Sequence, residues 1–186
     1  MVVQPWKVVA EQVLPAGSYR KVREITYELP DGRREVFTVK HEGGPVCILA
    51  LTKDRQVVLA REFRPGPGVV LDELPGGEPE AGETNIEAAA RELLEETGYR
   101  AGRIDYLMSG PTSAGMSNEI LAFVLARDLE RVEDGGGDET EEIRVHEVPR
   151  HDVAYWLVDK LRAGYSIDPK IFAGLYMLEH SALFAR

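Results

Sequence analysis

Residues 77–99, GEPEAGETNIEAAARELLEETGY, join a glycine-rich turn to a segment that carries many glutamates. Thr84 and Glu87 have the spacing of a capping box, so a helix is predicted to begin near Asn85. Gly98 is expected to end it, because glycine is the usual residue just past a helix C-terminus. The residues whose helical spacing predicts a buried stripe are Ile86, Ala89, Ala90, Leu93, Leu94 and Thr97.

Three glutamates near the end of this helix are poorly placed for stability alone. Glu92 and Glu96 repel each other at i,i+4, and with Glu95 they lie where the helix dipole favours cations. The ordinary interpretation is a solvated acidic face, with Arg91 paired to Glu87 or Glu95. We favour a divalent metal site, because Mg2+ takes several oxygen ligands and these carboxylates are clustered against local preference.

The same stretch resembles the Nudix box, G-x5-E-x7-R-E-U-x-E-E-x-G-U, in which U is apolar or aromatic. Every specified position is present, namely Gly77, Glu83, Arg91, Glu92, Leu93, Glu95, Glu96, Gly98 and Tyr99. So many residue types at fixed offsets make the match far more specific than a lone glycine motif. The resemblance implies an α/β/α sandwich with a mixed sheet, and a hydrolase that uses Mg2+ or Mn2+ to cleave a nucleoside diphosphate linked to another group.

Residues before the box narrow the resemblance to the ADP-ribose and nucleoside-diphosphate-sugar pyrophosphatase branch. In that branch an arginine at the position of Arg64 and a glutamate at the position of Glu73 approach the substrate. The residue at the position of Gly76 offers its backbone carbonyl to a metal, so glycine in place of the frequent alanine is expected to be a mild departure. Guanidinium also suits phosphate oxygens, which favours a binding role for Arg64 over a solvated strand end.

The loop after the box is expected near the substrate. Residues 113–119, S-x-G-M-S-N-E, resemble the corresponding loop of the branch and make Met116 a substrate-binding candidate. Ala114 and Gly115 stand where ADP-ribose enzymes carry a marker proline. ADP-ribose is therefore one candidate substrate, and a different sugar nucleotide is another.

A later segment, residues 138–149 with the sequence DETEEIRVHEVP, resembles the catalytic loop of the same branch. By that resemblance Glu139 is the general base and Glu141 a further metal ligand beside Glu92, Glu96 and the Gly76 carbonyl. Glu95 is the competing candidate for the base, and Arg91 is expected to hold the box glutamates by ion pairing. The glycines before Glu139 predict a mobile hinge that closes the base over bound substrate.

The length of 186 residues suits one domain with an appendage. We predict an N-terminal antiparallel β appendage over residues 1–43 and the Nudix catalytic domain over residues 44–186. Exposed strand edges often pair with another subunit, so a homodimer is expected. Tyr19, Arg34 and a partner subunit are expected to contact the base or sugar of the substrate.

Apolar patterns also predict the remaining elements. Strands are expected over 19–29, 34–40, 46–51, 57–63, 104–109, 120–126 and 143–149, with an irregular loop between Arg64 and Glu73. Helices are expected over 151–163, with a stripe of Trp156, Leu157 and Leu161, and over 170–184, with Asp168 as its N-cap.

Composition excludes several other classes of protein. A net charge of -10 argues against a nucleic-acid binder, which needs Lys and Arg to neutralise phosphates. The single cysteine, Cys47, lies in an apolar run and is expected to be buried. No signal-like or membrane-length segment is present, so the expectation is a soluble cytoplasmic protein whose partner is a small nucleotide-sugar substrate, with no membrane contact.

The sequence leaves two alternatives open. The chain could cleave another Nudix substrate, such as a dinucleoside polyphosphate, coenzyme A or an oxidised nucleoside triphosphate, although Arg64 and Glu73 favour sugar nucleotides. It could also be a sensor that binds a sugar nucleotide without turnover, although the intact set of acids weighs against that function.

Overall fold

The structure is a computed structural model that describes residues 4–16, 20–41, 43–137 and 141–184. Contacts group the chain into two compact units. The smaller unit comprises Met1–Gly44 and Gly110–Leu121, and the larger comprises Pro45–Ser109 and Ala122–Arg186.

The smaller unit contains a three-stranded antiparallel sheet in the order β1-β2-β3. Its strands are β1 (Lys7–Ala16), β2 (Arg20–Glu28) and β3 (Arg34–His41). The predicted β2–β3 hairpin closes through a hydrogen bond of 2.9 Å from Gly32 N to Leu29 O. No separate strand was predicted for β1, because a register shift between Val8 and Ala10 breaks its alternation. The small N-terminal antiparallel sheet itself is confirmed.

The second sheet has eight strands in the order β11-β6-β5-β4-β9-β7, with β10 beside β5 and β8 beside β9. The strands are β4 (Val46–Thr52), β5 (Gln56–Arg64), β6 (Val69–Glu73), β7 (Tyr99–Arg100), β8 (Arg103–Pro111), β9 (Ile120–Arg131), β10 (Arg144–Pro149) and β11 (Ser166–Ile167). The pairs β4–β9 and β6–β11 are parallel, whereas β4–β5 and β5–β6 are antiparallel. The sheet is therefore mixed, as predicted.

The prediction of an irregular loop between Arg64 and Glu73 was wrong. Gly68 N donates to Arg64 O at 2.9 Å, so the proline- and glycine-rich residues form a tight turn. Strand β6 follows it and pairs back onto β5. The strand is only five residues long, and its short apolar run lacks the alternation that would have identified it.

The described residues contain four helices: α1 (Asn85–Thr97), α2 (Val153–Arg162), α3 (Lys170–Glu179) and α4 (Ser181–Phe184). The capping box of α1 is confirmed, since Glu87 N donates to Thr84 Oγ1 at 3.3 Å and Thr84 N donates to Glu87 Oε2 at 2.8 Å. Gly98 ends α1 with a φ of 72°. The single helix predicted over 170–184 is divided at His180, whose ring packs on Tyr176.

Helices cover both faces of the second sheet. Val46 and Ile48 of β4 pack in one core cluster with Leu93 of α1. Leu49 faces the opposite side, where a Cβ added to Gly174 of α3 would lie 3.4 Å from its Cδ1 atom. Alternation along a buried central strand thus gives each face its own helix layer. The predicted α/β/α sandwich with a mixed sheet is confirmed.

Three residues assigned by spacing to buried stripes are exposed. They are Ile86 and Ala90 of α1 and Leu161 of α2. Helix α1 is rotated so that Ala88 enters the core beside Ala89. Spacing defines a stripe but leaves its exact rotation to the packing of the partner sheet. Within the described residues, no helix is long and apolar enough to cross a membrane.

Candidate active site

The three glutamates at the end of α1 differ in exposure. Glu96 is buried, with 3% of its surface exposed. The side chain of Glu92 is 15% exposed, and that of Glu95 is 52% exposed. Solvent exposure therefore differs along the acidic face predicted for the helix, with Glu96 directed into the protein and Glu95 towards solvent.

The segment before the box lies against β4 and fixes Glu96. Ile48 N donates to Pro75 O and Val46 N donates to Gly77 O, each at 2.8 Å. Between these two contacts, Gly76 N donates to Glu96 Oε2 at 3.0 Å. The backbone of β4 thus positions the Gly76 peptide against the buried carboxylate.

Other atoms approach both glycines of this segment closely, backbone at Gly76 and the end of a side chain at Gly77. Gly76 has a φ of 152°, and a Cβ added there would lie 2.1 Å from Val46 O. The expectation that alanine and glycine are nearly equivalent at this position was wrong, because side-chain volume is excluded as well. At Gly77 an added Cβ would lie 2.3 Å from Glu92 Oε1. The absence of a side chain at Gly77 therefore makes room for the Glu92 carboxylate.

Arg91 joins the acids of the box. Its guanidinium donates to both carboxylate oxygens of Glu83 at 3.0 Å. It also donates to Glu92 at 2.9 Å and to Glu95 at 3.0 Å. These contacts lower the pKa of Glu83, mainly through its hydrogen bond with Arg91. Arg91 thus holds carboxylates that would otherwise repel one another.

A second acidic group lies on the neighbouring strands β5 and β6. Arg64 Nε donates to Glu73 Oε1 at 2.7 Å, and Arg64 Nη2 lies 2.7 Å from Glu62 Oε1. Glu62 and Glu73 are both buried. Sequence reasoning selected Arg64 and Glu73 but missed Glu62. The available signal was its position two residues before Arg64, which places both side chains on the same face of a strand.

Buried acids in this site are held in an environment that disfavours their charge. Burial raises the pKa of Glu96 to about 9 and, together with a hydrogen bond to Glu73, that of Glu62 to about 7. Burial also raises the pKa of Glu92, and the charge of Glu141 contributes to the shifts of both Glu62 and Glu92. Glu141 is therefore close enough to act on the same group of acids.

This set of donors fits a hard divalent cation. Several carboxylates lie in a low-dielectric environment, and the nearby arginines do not neutralise all of their negative charge. Their oxygens are the ligands that hard divalent cations prefer. Among the described residues, which exclude 138–140, no three acidic, histidine or cysteine side chains already form a closed metal cage. The arrangement is an open set of carboxylates.

The glycine-rich segment before residue 138 is attached to the end of α1. Gly136 N donates to Glu96 O and Gly137 N donates to Glu95 O, each at 3.0 Å. These bonds satisfy carbonyls that a helix C-terminus leaves without partners. Residues 136–137 are thus tied to the helix, and the mobile hinge expected for the glycines before Glu139 stays a prediction.

The remaining predicted residues lie elsewhere. Arg34 and Met116 belong to the smaller unit, where Arg34 Nη2 lies 3.5 Å from Glu28 Oε2 and Met116 O accepts from Lys40 N at 2.7 Å. Met116 is 71% exposed. Tyr19 and Glu139 lie outside the described residues, so their assigned roles stay predictions.

These features define a class of protein: an enzyme with helix-borne carboxylates for a divalent cation and an adjacent arginine suited to phosphate. Residues 42–168 match the NUDIX domain, and the chain belongs to the Nudix family. Enzymes of this family generally need a divalent metal ion.

Named relatives extend over most of the chain. It is 34% identical over 147 residues to the ADP-ribose pyrophosphatase of Bacillus subtilis (strain 168), covering 78% of this chain and 80% of the relative. It is 30% identical over 190 residues to the GDP-mannose pyrophosphatase of Cronobacter sakazakii, covering 95% of each. It is also 28% identical over 155 residues to the methanol dehydrogenase activator of Bacillus methanolicus, covering 83% of this chain and 84% of the relative.

A crystal structure of an ADP compounds hydrolase has the same fold. The TM-score is 0.74 at 21% sequence identity, and the match covers 97% of this chain and 95% of the other. At this identity the likeness establishes the architecture only.

The two glycines are expected to respond differently to alanine. Gly76→Ala places a Cβ against the backbone of Val46 at positive φ, so it should destabilise the fold by about 2–4 kcal/mol. Gly77→Ala meets only the end of the Glu92 side chain, so it should cost less than about 1 kcal/mol but weaken Mn2+ binding about tenfold or more.

Urea denaturation and Mn2+ titration by electron paramagnetic resonance would measure these two effects. Gly66→Ala is the control, because no atom lies within 4 Å of a Cβ added there. Equal loss of stability in the Gly76 and Gly77 variants would contradict the prediction that Gly76→Ala affects mainly the fold and Gly77→Ala mainly the metal site.

Proposed function

We propose that this enzyme hydrolyses the diphosphate bond of a nucleoside diphosphate sugar, with ADP-ribose and GDP-mannose as the leading candidates. The products are a nucleoside monophosphate and a sugar phosphate. The observation that carries the proposal is the placement of Arg64, a guanidinium suited to phosphate, on β5, which packs in the same core cluster as the carboxylate-bearing helix α1; Glu73 holds its Nε atom at 2.7 Å. The names of the relatives from Bacillus subtilis and Cronobacter sakazakii support the same substrate class.

Diphosphate hydrolysis makes three demands on a site. The negative oxygens must be screened, a water must lose a proton, and the leaving phosphate must be stabilised. A bound Mg2+ or Mn2+ supplies the first and third of these. We assign the metal ligands as Glu92, Glu96, Glu141 and the carbonyl of Gly76, which offer the hard oxygen donors that either ion prefers.

Two arginines have separate roles in this proposal. Arg91 keeps its contacts with Glu83, Glu92 and Glu95 and thereby fixes the ligand carboxylates. Arg64 binds a phosphate oxygen of the substrate, because guanidinium presents several donors in a planar fork. Glu73 contacts the Nε atom of Arg64 and supports that orientation.

Glu139 is the proposed general base. Glu95, its competitor, already accepts a hydrogen bond from Arg91 at 3.0 Å through one carboxylate oxygen. A base needs an oxygen directed at the attacking water, so this contact favours Glu139. Tyr19, Arg34 and Met116 are proposed to contact the base or sugar of the substrate.

We also propose that the enzyme is a homodimer. One face of the sheet of β1, β2 and β3 exposes large apolar side chains, including 40% of Phe37 and, just before β1, 44% of Trp6. The Trp6 ring lies 5.7 Å from the Phe37 ring and 6.0 Å from the Tyr27 ring, each measured between centroids. A three-stranded sheet gains little stability with such surface in water, and a second copy would cover it.

A substrate panel tests the proposed reaction. Incubation with Mg2+ and ADP-ribose, ADP-glucose, UDP-glucose or GDP-mannose should release a nucleoside monophosphate from at least one of them, as measured by ion-exchange separation. Glu96→Gln should lower the rate about 100-fold or more, because a metal ligand loses its charge. Coenzyme A and a dinucleoside polyphosphate belong in the same panel.

The outcomes of the panel separate the alternatives. Monophosphate from none of the sugar nucleotides would contradict the proposed reaction. Binding of one of them without products, measured by calorimetry, would assign the protein to the sensor class.

The general base is tested by matched glutamine variants. Glu139→Gln should lower kcat about 100-fold or more while the Mg2+ midpoint changes by less than about threefold. Glu95→Gln is the control and should have the smaller effect on kcat. A kcat unchanged in Glu139→Gln and strongly reduced in Glu95→Gln would transfer the role to Glu95.

The homodimer is tested by light scattering coupled to size exclusion. The wild-type mass should be twice that of the single chain. Phe37→Glu should give the monomer, because a charge on an apolar interface costs several kcal/mol once its partner surface excludes water. Glu35→Gln, at an exposed position of the same strand, should leave the mass unchanged. A wild-type mass of one chain would contradict the proposal.

A further inference from the structure

Glu62 is a buried acid that the proposed reaction does not use. Only 4% of its surface is exposed, and it lies on β5 two residues before Arg64. Successive side chains of a strand alternate between its faces, so Glu62 and Arg64 share the face that carries the site. Burying a carboxylate is costly unless a charge or hydrogen bond compensates it.

The compensation comes from Arg64. Glu62 Oε1 lies 2.7 Å from Arg64 Nη2, in an ion pair whose angle does not satisfy a hydrogen bond. Glu73, on the adjacent strand β6, accepts from Arg64 Nε at 2.7 Å. Two carboxylates from neighbouring strands thus bind the same edge of the Arg64 guanidinium.

The contacts with Glu62 and Glu73 determine the orientation of the rest of the guanidinium. The Nε and Nη2 atoms form one side of a planar group, so contacts to both fix its rotation as well as its position. The remaining nitrogen, Nη1, is then directed away from Glu62 and Glu73. An arginine held this way presents donors to an anion without first losing side-chain freedom.

If Glu62 had only a structural role, its position would cost free energy through repulsion from neighbouring acids. Its carboxyl is affected by the charges of Glu73 and Glu141 and itself acts on Glu96, so a further acid has been added to a group already rich in them. A neutral residue of similar size would avoid this repulsion. The benefit that remains is the orientation of Arg64.

We propose that Glu62 is a positioning residue that, together with Glu73, orients Arg64 so that Nη1 meets a phosphate oxygen of the nucleoside diphosphate substrate. This inference rests on the proposed function and adds a residue to it. Glu62 acts through Arg64 and does not contact the reacting atoms.

The test is a double-mutant cycle measured with ADP-ribose and GDP-mannose in Mg2+. Glu62→Gln should raise KM about tenfold and change kcat by less than about threefold, because Arg64 binds the diphosphate in both ground and transition states. In an Arg64→Lys background the same change should alter KM by less than about twofold, since lysine lacks the fork that Glu62 orients.

Glu130→Gln is the control, because it makes the same chemical change at an exposed position of β9. It should leave KM and kcat unchanged. Thermal unfolding of every variant separates a loss of fold from a loss of orientation. If Glu62→Gln does not fold, Glu62→Asp replaces it in the same cycle, since the shorter side chain draws the carboxylate away from Nη2.

The outcomes separate the positioning role of Glu62 from the proposed function. A wild-type KM in a folded, active Glu62→Gln enzyme would overturn the positioning role and leave the proposed function intact. An undiminished effect of Glu62→Gln in the Arg64→Lys background would do the same, because it would show that Glu62 acts independently of Arg64. Absence of turnover by the wild-type enzyme on every sugar nucleotide would overturn both.

Discussion

The hydrogen bond from Gly76 N to the buried Glu96 carboxylate is the contact on which the arrangement of the site depends. It joins the segment beside β4 to the last turn of α1. A buried carboxylate has few ways to be satisfied, and a backbone N–H held by a central strand is among the most rigid. Because β4 pairs with β9 on one side and holds the 75–77 segment on the other, this hydrogen bond links its position to that of α1. The remaining carboxylates of the helix follow from that placement.

The distribution of charge explains why the carboxylates of this site suit a cation. Arg91 pairs with acids at the exposed side of α1, and Arg64 pairs with acids on β5 and β6. Glu92 and Glu96 of α1 belong to the same site, and burial raises the pKa of both. The fold therefore stores electrostatic repulsion that a divalent ion would relieve.

Local patterns in the sequence predicted those parts of the structure that depend on neighbours in the chain. The helix α1, its capping box and the buried β4 follow from spacing and from the apolar run around Cys47. Strand β6 was missed because a short strand is defined by its pairing with β5. Glu62 was missed although its spacing from Arg64 is local, because its burial depends on how β5 packs in the sheet. The closeness of Gly76 to Val46 is likewise a long-range contact that no local pattern records.

The attachment of the glycine-rich segment to the end of α1 has a consequence for how the enzyme can be redesigned. A Cβ added to Gly98 would lie 2.1 Å from Glu133 O, and one added to Gly135 would lie 2.5 Å from Gly98 N. Backbone meets backbone at this junction, so neither Gly98 nor Gly135 can carry a side chain without moving the helix or the segment. A loop grafted from another family member should therefore begin after Gly137, so that the carboxylates of α1 keep their positions.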